Sequence, residues 1–174
     1  DTKAGSKDEY ARQKEIKKLI TTFISAIIPP SDHNYIKHQW DKHKNVPLWA
    51  TVKVITFGTI SKMFSLCESS VRSDVAKEFP GVSEDALIGM LDMLTRVRNV
   101  CAHNERLYDF SVKNSRAIQN FPVHEELGIS KSKSGLYNQG KTDLFAALIC
   151  LKYLLQADDF RKTVLDIGES LDTL

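Results

Sequence analysis

Apolar residues recur in this chain at steps of three and four, and no other feature constrains the fold as much. Leu87, Met90, Leu91, Leu94, Val97 and Cys101 fall on one stripe of a helix. Ser83 stands where an N-cap belongs, and Glu84 and Asp85 suit the positive end of the helix that follows. Ile16, Leu19, Ile20, Phe23, Ile24, Ile27 and Ile28 repeat the pattern earlier, between a Ser6/Glu9 capping box and the stop at Pro29-Pro30. After Pro47, Leu48, Trp49, Val52, Ile55, Ile60, Met63, Phe64 and Cys67 line another helix, with a kink expected near Gly58. The run TVKVIT leans weakly towards strand. Ser69 or Ser70 caps a short helix ending at Phe79, and Pro80-Gly81 turns the chain. Thr142 caps LFAALICLKYLL, apolar nearly all round, and Asp158 caps a last helix ending near Leu171. The stretch from 32 to 46 reads as loop with room for a short helix. Residues 109–141 are polar and turn-rich and read as a long, partly mobile excursion. The sum is an all-α bundle of about five or six helices, in a single domain over 1–174.

A chain of 174 residues buries a core large enough to need no staples. The net charge of +2 excludes a strongly basic nucleic-acid coat but permits a local basic patch. Three cysteines, far apart and without a CxxC pair, argue against a disulfide framework or zinc ribbon and for a reducing, cytoplasmic setting. No apolar run approaches the ~20 residues of a membrane span, so no membrane association is expected. The chain opens on Asp1 rather than methionine, as a piece of a longer protein would.

The helix ending near residue 101 runs into RVRNVCAHNERLY, Arg96 to Tyr108. Such side chains are costly to bury, so they either brace the bundle or make a site. Asn99 and His103 are four apart and share a helical face. Arg98 and His103 are five apart, about 140° around the axis, and converge only if the arginine reaches around, the helix loosens, or a second copy contributes. Histidine moves protons near neutral pH, and arginine offers a planar, permanently charged donor that matches phosphate. Together they suit attack of a ribose 2′-hydroxyl on the adjacent phosphodiester without metal. The bland alternative pairs Arg98 with a nearby acid and leaves His103 as a C-cap at the negative helix end.

The segment RNVCAHNERLY resembles the signature of the Abi-like (abortive infection, AbiD/AbiF type) bacterial proteins, through Arg98, Asn99, Cys101, Ala102, His103, Arg106, Leu107 and Tyr108. VPLWATVKVITFGTISKMF, preceded by YIKHQWDKH, resembles the same family. The likeness is densest from Tyr35 to Tyr108. Where the family commonly has Asn after the aromatic, this chain has Asp109, and the family's usual N-terminal region is expected to be shortened. The family in turn resembles the HEPN group, whose members carry Arg, four to six residues, then His.

The resemblance implies a HEPN-like helical fold and a metal-independent endoribonuclease of phage defence or a toxin–antitoxin system. Arg98 and His103 are implied as catalytic, in a cleft shared by a homodimer. The implied products carry a 2′,3′-cyclic phosphate, RNA is the substrate, and a protein or RNA antitoxin restrains it. No cofactor is expected. Glu105 stands where a modified tyrosine would be needed for nucleotidyltransferase regulation, so that regulation is not expected. The alternative is a non-catalytic helical module that binds RNA, a nucleotide or a protein.

Around this pair, Asn99 reads as a group that orients His103 or the backbone. Arg106 stands between a phosphate contact and a structural ion pair. Tyr108 leans to packing over base stacking, and Cys101 to small apolar filler. Lys37, His38, Lys42 and His43 form a basic stretch able to guide an RNA backbone, although such stretches are usually just solvated. The five-residue spacing of His33, His38 and His43 suits no single helical face, so no metal site is expected. Trp40 and Trp49 read as packing anchors, and Lys131, Lys133 and Lys141 as solvated.

Overall fold

The structure, a computed structural model, describes residues 7–28 and 32–172. It is all-α: nine helices and two short 3-10 turns, with no strand, among the described residues. Its contacts fall into two compact units, Asp1–Glu68 and Ser69–Leu174. The Ser6 capping residue and the Pro29-Pro30 stop lie outside the described residues.

The first unit holds α1 (Lys7–Ile27), α2 (Asn34–His43), α3 (Leu48–Thr51) and α4 (Phe57–Leu66). Its core is Ile36, Val46 and Ala50, with Ile27, Trp40 and Val54 packed against them. α1 buries a narrower stripe than its sequence suggests, because Ile20, Ile24 and Ile28 of the predicted face are exposed. Arg12 Nη2 donates to the Leu66 carbonyl oxygen at 3.1 Å, satisfying an acceptor that the end of α4 leaves open.

Two helix assignments are corrected in this unit. The stretch read mainly as loop carries a ten-residue helix, α2. The helix expected over 47–67 is broken between Val52 and Thr56. The β-branched residues there lose side-chain freedom in a helix. Thr56, in extended backbone, then starts a new helix by accepting from the Thr59 N–H. The break precedes Gly58, where a kink was expected. Trp40 packs as anticipated, whereas Trp49 is 59% exposed and anchors nothing.

The second unit holds α5 (Ser69–Ala76), α6 (Glu84–Ala102), α7 (Pro122–Glu126), α8 (Leu144–Leu154) and α9 (Ala157–Asp172). The Pro80-Gly81 turn closes with Val82 N–H on the Phe79 carbonyl oxygen at 3.0 Å. α6 and α8 form the central pair, burying Ala86, Leu87, Met90 and Met93 against Ala146, Ala147, Ile149 and Cys150. Ser83 caps α6 as expected, its hydroxyl accepting from the Ala86 N–H. The cap of α8 is Asp143 rather than Thr142, because the carboxylate accepts from both Ala146 N–H and Gly140 N–H at 3.0 Å. Asp158, expected as the cap, lies in the first turn of α9, which begins at Ala157, two residues earlier than expected. The total of nine described helices exceeds the five or six anticipated, because one predicted helix splits, the stretch read mainly as loop supplies α2 and the polar segment 109–141 supplies α7.

That segment is folded against the ends of α8. Val112 N–H donates to the Thr142 carbonyl oxygen at 2.8 Å and Ile118 N–H to that of Lys141 at 3.0 Å, so two stretches run antiparallel. Ile118, Phe121, Val123, His124 and Tyr137 are buried. His124 stacks on Tyr137 with ring centres 4.7 Å apart, and Phe121 meets Tyr153 of α8 at the same separation. Lys141, expected to be solvated, is half-buried and donates to Asn120 Oδ1 at 2.7 Å. Burial lowers its pKa.

Candidate site at the end of α6

α6 stops because Asn104 takes a left-handed backbone, φ 53°. Asn104 N–H then donates to the Cys101 carbonyl oxygen and Glu105 N–H to that of Val100, at 3.3 and 3.1 Å. This pair of bonds is a Schellman ending, in which asparagine is the common substitute for glycine. His103 is therefore the C-cap, and its own N–H donates back to the Asn99 carbonyl oxygen at 3.0 Å. Reading the sequence singled out His103 but missed Asn104, whose signal was an asparagine directly after a periodic helix.

Side chains at this end reach solvent because the helix outruns the core. Arg98, Asn99, His103 and Arg106 are exposed, and Leu91, Leu94 and Val97 are only half-buried. Cys101 is exposed, so it is not core filler. Tyr108 is 75% exposed and does not serve packing. Arg98 has no acidic partner among the described residues. Its Nη1 donates instead to Asn99 Oδ1 at 3.4 Å, a long contact that leans the guanidinium towards the face Asn99 shares with His103. The His103 ring has no hydrogen-bond partner among the described residues.

Asp92, Arg96, Asn99 and His103 follow one another at steps of four, three and four, a polar line down α6. Arg96 binds Asp92 through Nε at 2.9 Å and Nη2 at 3.2 Å. Arg116, from the segment after the motif, reaches the same carboxylate through Nη1 at 3.1 Å. Burial alone would raise the Asp92 pKa, but the two guanidiniums outweigh it and hold the carboxyl below its ordinary value.

Beside this line opens a cleft of about 680 Å³, walled by α6 on one side and by residues 109–113 and Arg116 on the other. Its basic lining is Arg96, Arg106, Lys113 and Arg116, its acidic lining Glu105 and Asp109, and Asn99 also faces it. Arg106 makes no ion pair among the described residues. Arg98, His103 and Tyr108 stand outside the cleft lining: Arg98 on the last turns of α6, His103 at its C-cap and Tyr108 in the 3-10 turn Leu107–Asp109. Lys37, His38, Lys42 and His43 are exposed on α2, in the first unit. Among the described residues, no group of three His, Cys, Asp or Glu side chains is placed to hold a metal ion.

These features define an all-helical protein with a polar Arg-Asn-His motif on the protruding end of its central helix. The chain belongs to the Abi-like protein family: the family's model matches residues 2–109, more than half of its length, and the match closes one residue past Tyr108. Membership points to a part in abortive infection. No curated protein and no solved structure matches the chain. No described helix is long and apolar enough to cross a membrane.

Proposed function

We propose that the chain is a metal-independent endoribonuclease of a bacterial phage-defence or toxin–antitoxin system, HEPN-like in its site and active as a homodimer. Arg98 and His103 are its catalytic residues. One His103 imidazole takes the proton of a ribose 2′-hydroxyl as that oxygen attacks the neighbouring phosphorus. The P–O5′ bond breaks, and the leaving 5′ oxygen receives a proton from the imidazolium of a second copy's His103. The fork of Arg98 bears the charge that builds on the phosphoryl oxygens. The products are a 2′,3′-cyclic phosphate and a 5′-hydroxyl. Single-stranded or looped RNA suits the site, since its backbone can reach in-line geometry. A protein or RNA antitoxin restrains the activity in the cell.

The observation that carries this reading is the Arg98–Asn99 contact at 3.4 Å. It turns an arginine that starts about 140° away towards the His103 face, at an exposed helix end where neither side chain serves an ion pair. The test is labelled single-stranded RNA with purified protein in EDTA. Cleavage leaving a cyclic phosphate, lost in His103→Ala with the circular dichroism spectrum unchanged, is expected. Cleavage that persists in His103→Ala would overturn the reading.

Glu105 and Asp109, two carboxylates in the cleft, favour a second reading: a non-catalytic module that holds RNA, a nucleotide or a protein. It predicts binding without cleavage, unaltered by His103→Ala.

A further inference from the structure

We infer that the cleft beside the motif is the groove that holds the RNA backbone, and that Arg96, Lys113 and Arg116 bind the phosphates flanking the scissile linkage. This rests on the nuclease reading but concerns different residues, two of the three supplied by chain beyond the family match. The cleft lining carries four cations against two carboxylates. Asp92 stands behind Arg96 and Arg116 and offsets one further charge, so a modest positive excess remains.

The role of Asp92 is order rather than attraction. One carboxylate gripping two guanidiniums fixes both on long, otherwise mobile stems. Arg96 uses only Nε and Nη2 on Asp92, and Arg116 only Nη1. Each therefore keeps N–H donors for a phosphate, and both side chains remain solvent-reachable, at 36% and 50% exposure. Lys113 faces the same space, and its ammonium has no hydrogen bond among the described residues.

The groove also has a direction. From Arg96 to Asn99 to His103, the same face of α6 climbs about 10 Å towards the helix end. A strand whose phosphates rest on the arginines is thereby led along the helix to the imidazole. Asn99 belongs to both regions, as a wall of the cleft and as the contact of Arg98. Asp92 is a positioning residue in this scheme and touches no substrate.

The test uses the full chain and a short fluorescent single-stranded RNA with 2′-O-methyl riboses, which binds but offers no attacking hydroxyl. Fluorescence anisotropy is read across a salt series. Lys113→Ala/Arg116→Ala is expected to weaken binding about tenfold and to flatten the salt slope by about 1.4, the loss of two phosphate contacts to a single strand. Lys113→Ala alone, which disturbs no described side-chain hydrogen bond, is expected to give about half that change in slope. On cleavable RNA the double variant should raise KM and leave kcat near that of the parent chain. An unchanged Kd and salt slope in the folded double variant would overturn the inference, whatever the cleavage result. Displacement of the RNA by adenosine triphosphate at a comparable concentration would also overturn it, by assigning the cleft to a free nucleotide. If no variant cleaves RNA but the salt slope still falls, the nuclease reading fails and the groove stands.

Discussion

His124 Nε2 lies 2.9 Å from the Gly140 carbonyl oxygen, and the ring is 0% exposed. A carbonyl only accepts, so Nε2 carries the proton, and Nδ1 is left to accept from the Phe121 N–H at 3.1 Å. His124→Ala would strand both backbone groups and open a void beside Tyr137. A loss of about 3 kcal/mol or more is expected, read as a lower midpoint in urea unfolding. Gly140→Ala should cost about 1–3 kcal/mol by the same measurement. Its φ is +79°, and a Cβ would stand 2.9 Å from Ile149 Cδ1.

Arg98→Lys keeps the charge and removes the planar fork. Under the nuclease reading, RNA cleavage should fall about 10²–10³-fold, while thermal stability stays within about 0.5 kcal/mol because the side chain is exposed. A lysine variant that cleaves at the parental rate would leave the guanidinium without the role assigned to it.

Asn104 sets where α6 ends. Glycine accepts a φ of 53° freely, so Asn104→Gly should leave stability within about 0.5 kcal/mol. Asn104→Val should cost about 1–2 kcal/mol, since a β-branched residue resists the left-handed region. Calorimetry compares the two, and RNA cleavage should fall more in the valine variant because His103 immediately precedes the strained position.

Asp92 predicts a stability change at low pH. Its carboxyl titrates below the ordinary 3.8 in the folded chain. The unfolded chain therefore binds the proton first as pH falls, and the stabilisation present above that value is lost as pH drops through the lower, folded one. The carboxylate is more than a third exposed, so solvent limits the effect to about 1 kcal/mol. Thermal melts from about pH 6 down to about pH 3 should show a shallower acid-side decline in Asp92→Asn than in the parent.

The cysteines should separate by reactivity. Burial pushes the Cys150 thiol up to about 12, whereas Cys101 is exposed and Cys67 intermediate. In native protein a thiol-specific reagent should label Cys101 fast and leave Cys150 untouched until denaturant is added, as mass spectrometry of the peptides would show.

Local signals were legible where one residue decides the outcome. Ser83 announced α6, and the apolar run of α8 announced the centre of the second unit. The change from apolar stripe to RVRNVCAHNERLY marked the end of α6. Signals failed where tertiary contacts decide. Thr142 and Asp143 are both competent caps, and only the second Asp143 contact, to Gly140 N–H, separates them. Helical periodicity placed Cys101 on the buried stripe but said nothing of where the core stops along the axis. Arg96 and Arg116 were illegible as a pair, because the largely irregular chain over 103–115 leaves α6 and returns Arg116 to a carboxylate on that helix. His124 lay inside a polar segment whose composition concealed its core.

The Val112–Thr142 and Ile118–Lys141 hydrogen bonds make the stretch between them a cassette with adjacent ends. Lengthening such a cassette adds little closure entropy, since that cost grows only with the logarithm of loop size. Residues 119–140 can thus lengthen at their exposed turns while the groove wall, 109–113 and Arg116, and the helix that carries the motif keep their places.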